Sequence, residues 1–164
     1  MKIFIKMNEN LFKEICGNYA TGVTVITSFN NNTNYGFTAN SFTSVSISPF
    51  LILFCLNKKA NSNKALKIGN HFVVNILSST QSNICNQFAN NNLSPLQRFS
   101  EVKTSSTQNN IKIISDSVGW LECKVKDKVD GGDHFIYIGE AEKGDLSENI
   151  NPLIYHNSRI KKII

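Results

Sequence analysis

Residues 120–142, WLECKVKDKVDGGDHFIYIGEAE, contain the strongest fold signal in the chain. Two segments rich in β-branched and aromatic residues, 120–129 and 134–142, flank the tetrapeptide Asp130-Gly131-Gly132-Asp133. Glycines between two such segments favour a tight turn, because glycine readily adopts the positive φ angles that hairpin turns require. This stretch therefore predicts a long antiparallel β-hairpin.

The sequence before this hairpin predicts several shorter strands. Each of them is apolar or β-branched and is bounded by Gly, Pro or an Asn-rich turn, and they cover residues 22–28, 35–42, 50–56 and 71–77. Segment 50–56 is continuously apolar, which is typical of a strand buried on both faces. There is no alternation of strands and helices and no G-x-G-x-x-G motif, which disfavours a Rossmann fold. About six strands with short helices at their ends predict a closed or nearly closed antiparallel barrel.

Helices are few and short in this prediction. We predict short helices over residues 8–18, 62–68 and 80–89, the first and the last from apolar residues that recur at helical spacing. Segment 90–117 is polar and weakly periodic, so we predict a long loop there. A loop of this length in a compact domain suggests a lid, a dimer arm or the flank of a ligand site.

Composition narrows the class of protein. A length of 164 residues with 41% hydrophobic residues predicts a single folded domain over residues 1–164. The net charge of +5 is scattered along the chain without aromatic residues interleaved, so we expect no nucleic-acid partner. The longest apolar run is too short to span a membrane, and no signal peptide is apparent. Widely spaced cysteines and dispersed histidines predict no metal site, and we expect a soluble, cytoplasmic protein.

Two segments could carry a ligand site. Segment 38–46 concentrates hydroxyl and amide side chains just before the apolar strand 50–56. Small polar side chains allow backbone N–H groups to approach a planar or phosphorylated ligand, but an edge strand or turn rich in Ser and Thr is the commoner explanation. His134 begins a strand directly after the predicted turn, where it could contact a ligand or simply follow the turn. No catalytic triad, paired carboxylates or P-loop is apparent.

Taken together in order, the motifs of this chain resemble the flavin reductase type of FMN-binding split-barrel protein. The matching segments run from the first predicted strand to the C-terminal region: YATGVTVIT (19–27), GFTANSFTSVS (36–46), PFLILFC (49–55), FVVNILS (72–78), FA (88–89), RF (98–99), LEC (121–123), GDHFIYIGEA (132–141) and PLIY (152–155). Each motif alone is weak, whereas the ordered set covers almost the whole chain.

The resemblance implies a mainly β fold, a six-stranded antiparallel Greek-key split barrel with short flanking helices. It also implies a homodimer with one FMN per subunit near the subunit interface, FAD being a possible alternative flavin. NADH or NADPH would be the co-substrate, and a flavin-dependent monooxygenase would receive the reduced flavin. A non-catalytic FMN or haem carrier, or a flavin sensor, on the same barrel is the alternative function.

The resemblance also implies roles for particular residues. Flavin contacts are expected at Ala39, Asn40, Ser41, Ser44, Val45, Ser46, Cys55, Lys58, Lys59 and Ser62. His134 is expected to contact the nicotinamide nucleotide. Phe88, Phe99 and Tyr155 are candidate pocket aromatics. No catalytic acid or base is expected, because hydride transfer between two bound rings depends on their positions.

Overall fold

The computed structural model describes residues 6–161, which form a mainly β structure. Its strands are β1 (Thr21–Gly22), β2 (Thr24–Asn30), β3 (Thr33–Ala39), β4 (Thr43–Ile47), β5 (Phe50–Asn57), β6 (His71–Ile76), β7 (Thr104–Ser106), β8 (Lys112–Ile114), β9 (Gly119–Gly131), β10 (His134–Leu146), β11 (Ile154–His156) and β12 (Arg159–Lys161). Its α-helices are α1 (Glu9–Gly17), α2 (Ser82–Ala89) and α3 (Pro95–Arg98), and a 3-10 helix covers Asn61–Lys64. No helix within residues 6–161 is long and apolar enough to cross a bilayer.

The main sheet has seven antiparallel strands in the order β3-β2-β6-β9-β10-β5-β4. The prediction of six strands was therefore wrong, and the additional strand is β4. Its Ser- and Thr-rich sequence resembles a turn, but Thr43 pairs with Leu53 and Ile47 pairs with Phe50 at the edge of the sheet. An edge strand tolerates polar residues, because one side of it remains open to solvent.

The predicted long hairpin is confirmed as β9 and β10. Its turn contains Gly132 at φ 79°, a left-handed conformation that favours glycine. The hairpin is longer than predicted, since pairing continues to Leu146 opposite Gly119. Two register shifts, between Ile138 and Gly139 and between Ala141 and Lys143, interrupt the pairing and are typical of bends in a β-ribbon.

The connection of the β2–β3 hairpin is tighter than the gap left between the predicted strands 22–28 and 35–42. Asn30 pairs with Thr33, which leaves only Asn31 and Asn32 in the turn. Both asparagines have positive φ, 48° and 57°. Two successive left-handed residues form the type I′ turn that matches the twist of a hairpin, and asparagine accepts this conformation more readily than most residues.

An aromatic cluster fills the inner face of the sheet. The Phe54 ring lies 5.8 Å from Phe37, 5.3 Å from Phe72 and 5.3 Å from Tyr137, measured between ring centroids. The prediction that β5 is buried on both faces was wrong: Ile52, Phe54 and Leu56 are buried, whereas the residues between them are half-buried. The second face of β5 is therefore available for another purpose.

The sheet curls until β3 and β5 meet. Besides the Phe37–Phe54 contact, the Ser41 hydroxyl accepts a hydrogen bond from the Cys55 N–H at 2.9 Å and donates to the Cys55 carbonyl at 3.4 Å. A single side chain thus satisfies both backbone groups of one residue on β5. The corner after β3 is fixed to β5 by this pair of bonds.

Segment 90–117 is not the long loop that was predicted. It contains α3 and the small sheet of β7 and β8. Buried polar side chains hold β8 in place: the Asn75 side chain accepts from the Ile114 N–H at 2.8 Å, and Thr27 donates its hydroxyl proton to the Lys112 carbonyl. Asn75 and Thr27 are far from β8 in sequence, so local sequence patterns do not predict these hydrogen bonds. The helix predicted over 62–68 is likewise shorter, being the 3-10 helix alone.

Candidate functional site

A cavity of about 710 Å³ lies against the outer surfaces of β3 and β5 and beside α2. Its volume falls in the range of small-molecule sites, roughly 300–1,000 Å³. Eight of the residues predicted for ligand contacts line it: Ala39, Asn40, Ser41, Cys55, Lys59, Ser62, Phe88 and His134. Residues that are separated by almost a hundred positions in sequence therefore meet at one site.

Strand register explains how the floor of the cavity forms. Asn57 on β5 lies directly opposite His134 on β10, and Cys55 lies opposite Ile136. Alternate residues of a strand share a face, so Cys55 and Asn57 point away from Phe54 and the aromatic core. The β5–β10 pairing thus brings Cys55, Asn57 and His134 to the same side of the sheet.

The corner after β3 presents one amide side chain to the cavity and uses its other polar groups internally. The Ala39 carbonyl accepts a hydrogen bond from the Thr24 hydroxyl at 2.8 Å. The Ser41 hydroxyl is occupied by the backbone of Cys55. Asn40 lies between them and is exposed. Asn40 is therefore the side chain of this corner best placed for a ligand.

Asn63 organises the turn between β5 and the 3-10 helix. Its amide nitrogen donates to the carbonyls of Asn57 at 2.9 Å, Lys58 at 3.2 Å and Ala60 at 2.9 Å. Its amide oxygen accepts a hydrogen bond from the Tyr137 hydroxyl at 2.8 Å, and burial raises the pKa of Tyr137 to about 12. The aromatic core thus supports the turn that carries Lys59 and Ser62. Sequence reasoning missed Asn63, since no motif distinguishes it from the other asparagines.

His134 is held at the mouth of the cavity by its neighbour. Its Nδ1 lies 2.8 Å from an Asp133 carboxylate oxygen, and the imidazole is 41% exposed. The hydrogen bond from His134, together with its charge, lowers the pKa of Asp133. The histidine is thereby oriented while its second nitrogen remains available.

The structure does not bring every predicted site residue into this cavity. Ser44, Val45 and Ser46 lie on the edge strand β4, and the cavity is lined by residues of the preceding corner. Lys58 forms an ion pair with Asp130 and is directed to the hairpin instead of the cavity.

The two remaining aromatic candidates also lie outside the lining. Phe99 packs edge-on against Phe88, with ring centroids 5.0 Å apart. Tyr155, on β11, packs against a second apolar cluster that includes Val23, Leu77 and Leu153. Both act as support for neighbouring core residues, and Phe88 alone of the three aromatics reaches the cavity.

Several lining residues were not among the predicted site residues. Four of them, Asn91, Leu93, Pro95 and Arg98, belong to segment 90–117, for which a ligand flank was one of the alternatives. The Arg98-Phe99 pair belonged to the motif set, but nothing in the sequence assigned Arg98 to a cavity.

The charge of the cavity is one-sided. Lys59, Arg98 and His134 line it, and no Asp or Glu is among its lining residues within the described part of the chain. Four asparagines, Asn40, Asn57, Asn61 and Asn91, supply neutral donors and acceptors. Lys59 and Arg98 take part in no ion pair within residues 6–161, so these two cations favour an anionic ligand. Amides suit the polar edge of a planar heterocycle. The lining is therefore suited to an anionic small molecule with a polar edge.

The chain belongs to the flavin reductase family: the sequence profile described as "Flavin reductase like domain" matches residues 16–163. This confirms the resemblance found in the sequence motifs. The chain is 40% identical over 131 residues to "Probable flavin reductase" of Rhizobium meliloti (strain 1021), a match that covers 79% of this chain and 41% of that protein. The chain therefore spans less than half the length of this relative.

Two further relatives are matched over more of their length. The chain is 30% identical over 148 residues to the reductase component of 4-nitrophenol 4-monooxygenase/4-nitrocatechol 2-monooxygenase of Rhodococcus opacus, covering 90% of this chain and 77% of the relative. Among solved structures, the Streptomyces globisporus C-1027 NADH:FAD oxidoreductase SgcE6, in complex with NAD and FAD fragments, superposes with a TM-score of 0.90 at 28% identity. That match covers 100% of this chain and 98% of the other.

Proposed function

We propose that this protein is an NAD(P)H-dependent flavin reductase that binds FMN in the cavity beside β3 and β5. The observation that carries the proposal is the composition of the cavity: amides and hydroxyls with Lys59, Arg98 and His134, and no carboxylate among the described lining residues. Family membership supports the reaction class. The curled sheet is, on this proposal, the split barrel of the family.

The residues of the cavity fit a flavin nucleotide. Asn40 would hydrogen-bond the edge of the ring, with the Ala39 and Ser41 backbone beside it. Ser62 and Lys59 would hold the phosphate, because a hydroxyl donor and an ammonium group both stabilise its charge. A bound flavin supplies the redox chemistry by accepting a hydride from the reduced nicotinamide.

The protein's own part in the reaction is positioning. His134, fixed by Asp133, would contact the nicotinamide nucleotide at the mouth of the cavity. Cys55 and Asn57 form the floor against which the ligands are held. Binding the two reactants side by side makes a bimolecular step effectively unimolecular and so lowers its entropic cost. No residue needs to act as an acid or base in this scheme.

Relatives suggest where the reduced flavin goes. Several of them are reductase components or subunits of flavin-dependent monooxygenases, from Rhodococcus opacus and Mycobacterium tuberculosis among others. On this basis the downstream acceptor is a separate flavin-dependent monooxygenase. FMN is the proposed flavin, and the relative of Streptomyces globisporus, an NADH-dependent FAD reductase, makes FAD the competing choice.

The homodimer expected from the resemblance has a candidate surface on and beside β4. Val45, Ile47 and Phe50 are 49%, 83% and 63% exposed, and a groove of about 400 Å³ runs beside them. An exposed apolar edge of this kind is typical of an interface. A second copy covering it would bury Ser44, Val45 and Ser46, the flavin candidates that lie outside the cavity. Phe50→Asp should convert the dimer to a monomer in sedimentation velocity, whereas a wild-type monomer would contradict the proposal.

The central experiment follows the flavin spectrum. Purified protein is titrated with FMN and separately with FAD, and NADH or NADPH is then added without oxygen. Bleaching of the flavin band after NADH or NADPH is the expected result. A bound spectrum that resists both nucleotides would favour the carrier or sensor function instead. Failure to bind either flavin would refute the proposal.

A further inference from the structure

The segment between α2 and α3 forms one wall of the cavity, yet it belongs to none of the strand pairs of residues 6–161. Asn91, Leu93 and Pro95 of this wall line the cavity. Leu96 on α3 is 84% exposed, so its side chain contributes little to anchoring the wall. The position of the wall therefore depends on other contacts of α3.

Gln87 on α2 donates to the backbone carbonyls of Gln97, Arg98 and Ser100, and the Arg98 side chain supplies the contacts to β3. One terminal nitrogen of its guanidinium donates to the Gly36 carbonyl on β3 at 2.7 Å and to the Phe88 carbonyl at 3.1 Å. The other terminal nitrogen donates to the Asn90 carbonyl at 2.9 Å. A single side chain thus connects the sheet, the last turn of α2 and the start of the wall. The planar fork of arginine is suited to three carbonyls at once, which a lysine cannot match.

Gly36 makes this arrangement possible. A Cβ atom at this position would lie 2.5 Å from the Phe88 ring and 3.2 Å from the Phe99 ring. The missing side chain lets both rings pack onto β3 and brings Arg98 within reach of the Gly36 carbonyl. Gly36, Phe88 and Arg98 all line the cavity, so the attachment is itself part of the site.

The charge of Arg98 is not neutralised by these bonds. Its partners are neutral carbonyls, and none of the ion pairs within residues 6–161 includes Arg98. Burial lowers the pKa of the guanidinium, as expected for a cation removed from water without a counter-ion. An anionic ligand in the cavity would offset this cost.

We propose that Arg98 is a positioning residue that fastens segment 90–95 to β3 and so makes it a wall of the flavin site, tightening flavin binding. The inference rests on the proposed function, since it names the ligand of that same cavity. It goes beyond the proposed function because Arg98 would increase flavin affinity indirectly, by holding the backbone of the cavity wall in place.

The first test needs no ligand. Hydrogen exchange is measured by mass spectrometry on wild type, Arg98→Met and Arg98→Lys, with Arg159→Met as a matched control because Arg159 is exposed on β12. We expect exchange in peptides spanning 90–98 to be about tenfold faster in Arg98→Met, since bonds from a charged donor are lost. Exchange in the β9–β10 hairpin should not change. Wild-type exchange in both Arg98 variants would overturn the proposal.

The second test measures affinity. We expect Arg98→Met to raise the Kd for FMN about tenfold or more, with Arg98→Lys intermediate and Arg159→Met unchanged. The KM for FMN should rise in parallel, while kcat at saturating FMN stays within a factor of about two. If Arg98→Met does not fold, Arg98→Lys decides the question on the same two measurements. Unchanged FMN affinity in the Arg98 variants would overturn the inference and leave the proposed function intact. If wild type binds no flavin, the proposed function fails and the assigned ligand with it.

Discussion

The two faces of β5 differ in almost every physical property. Phe54 on the inner face is fully buried and touches three aromatic rings, whereas Cys55 on the outer face is half-buried and lines the cavity. Because successive side chains of a strand point in opposite directions, one segment supplies both the core and the site. Substitutions at adjacent positions of β5 should therefore have different effects: on the inner face they should lower stability, and on the outer face they should alter ligand binding.

The largest effect is expected on the inner face. Phe54→Ala should lower the free energy of unfolding by about 3–5 kcal/mol, because it leaves a cavity among Phe37, Phe72 and Tyr137. Chemical denaturation would measure this loss. Phe12→Ala serves as a control, since Phe12 is 57% exposed and its truncation should cost far less. Equal losses in the two variants would break the contrast between the faces.

The outer face should show the opposite behaviour. Asn40→Ala should weaken FMN binding by roughly tenfold, because a partner of the ring edge is lost, while the unfolding midpoint stays near that of wild type. Fluorescence titration would measure the affinity. Asn83→Ala, at an exposed position on α2, provides an amide control. Unchanged FMN affinity in Asn40→Ala would remove this residue from the site.

His134 tests the mouth of the cavity. His134→Ala should raise the KM for NADH or NADPH several-fold and leave the KM for flavin nearly unchanged, since this residue contacts the nucleotide in our proposal. Steady-state kinetics with each substrate varied in turn would show the difference. His71→Ala is a suitable control, because His71 pairs with Glu142 on another part of the sheet. Equal increases in both constants would argue against a nucleotide role.

The reactivity of the cysteines tests the same contrast between the two faces of β5 without any substitution. Burial raises the pKa of Cys85, and it raises the pKa of Cys123 to about 12, so both thiols should resist alkylation at neutral and mildly alkaline pH. The exposed Cys16 should react fastest. Cys55 should react at an intermediate rate that falls modestly when FMN is added, as mass spectrometry of labelled peptides would show. An FMN-insensitive Cys55 would contradict a ligand beside the outer face of β5.

Local patterns predicted the parts of the fold that depend on neighbouring residues. The β9–β10 hairpin followed from paired glycines, and α1 followed from apolar spacing over residues 8–18. The β8 strand could not be predicted in this way, because the side chains of Asn75 and Thr27 hold it from far away in sequence. The sequence left β4 open between an edge strand and a turn, because Ser and Thr residues suit both, and only the pairing with β5 decides between them.

The part of the site that is carried by continuous sequence motifs was predictable from the sequence. The motifs of residues 36–46 and 132–141 led to the prediction of Asn40 and His134 as ligand contacts, and both residues line the same cavity. Arg98 and Asn63 were not assigned to the site, because each acts by binding backbone carbonyls whose positions exist only in the folded chain. Lys58 was predicted to contact the flavin but lies outside the cavity lining. Its ion-pair partner, Asp130, is 72 residues away in sequence, so this pairing could not be read from the local motif.

The lack of carboxylates around the cavity has a consequence for the timing of turnover. Loss of a hydride leaves the nicotinamide ring with a positive charge, and the described lining residues offer cations but no carboxylate to receive it. The oxidised nucleotide keeps its pyrophosphate and remains an anion, but it is one charge less negative than the reduced form. The cations of the lining therefore hold it less strongly. The oxidised nucleotide should dissociate faster than the reduced one, and added salt should narrow the difference.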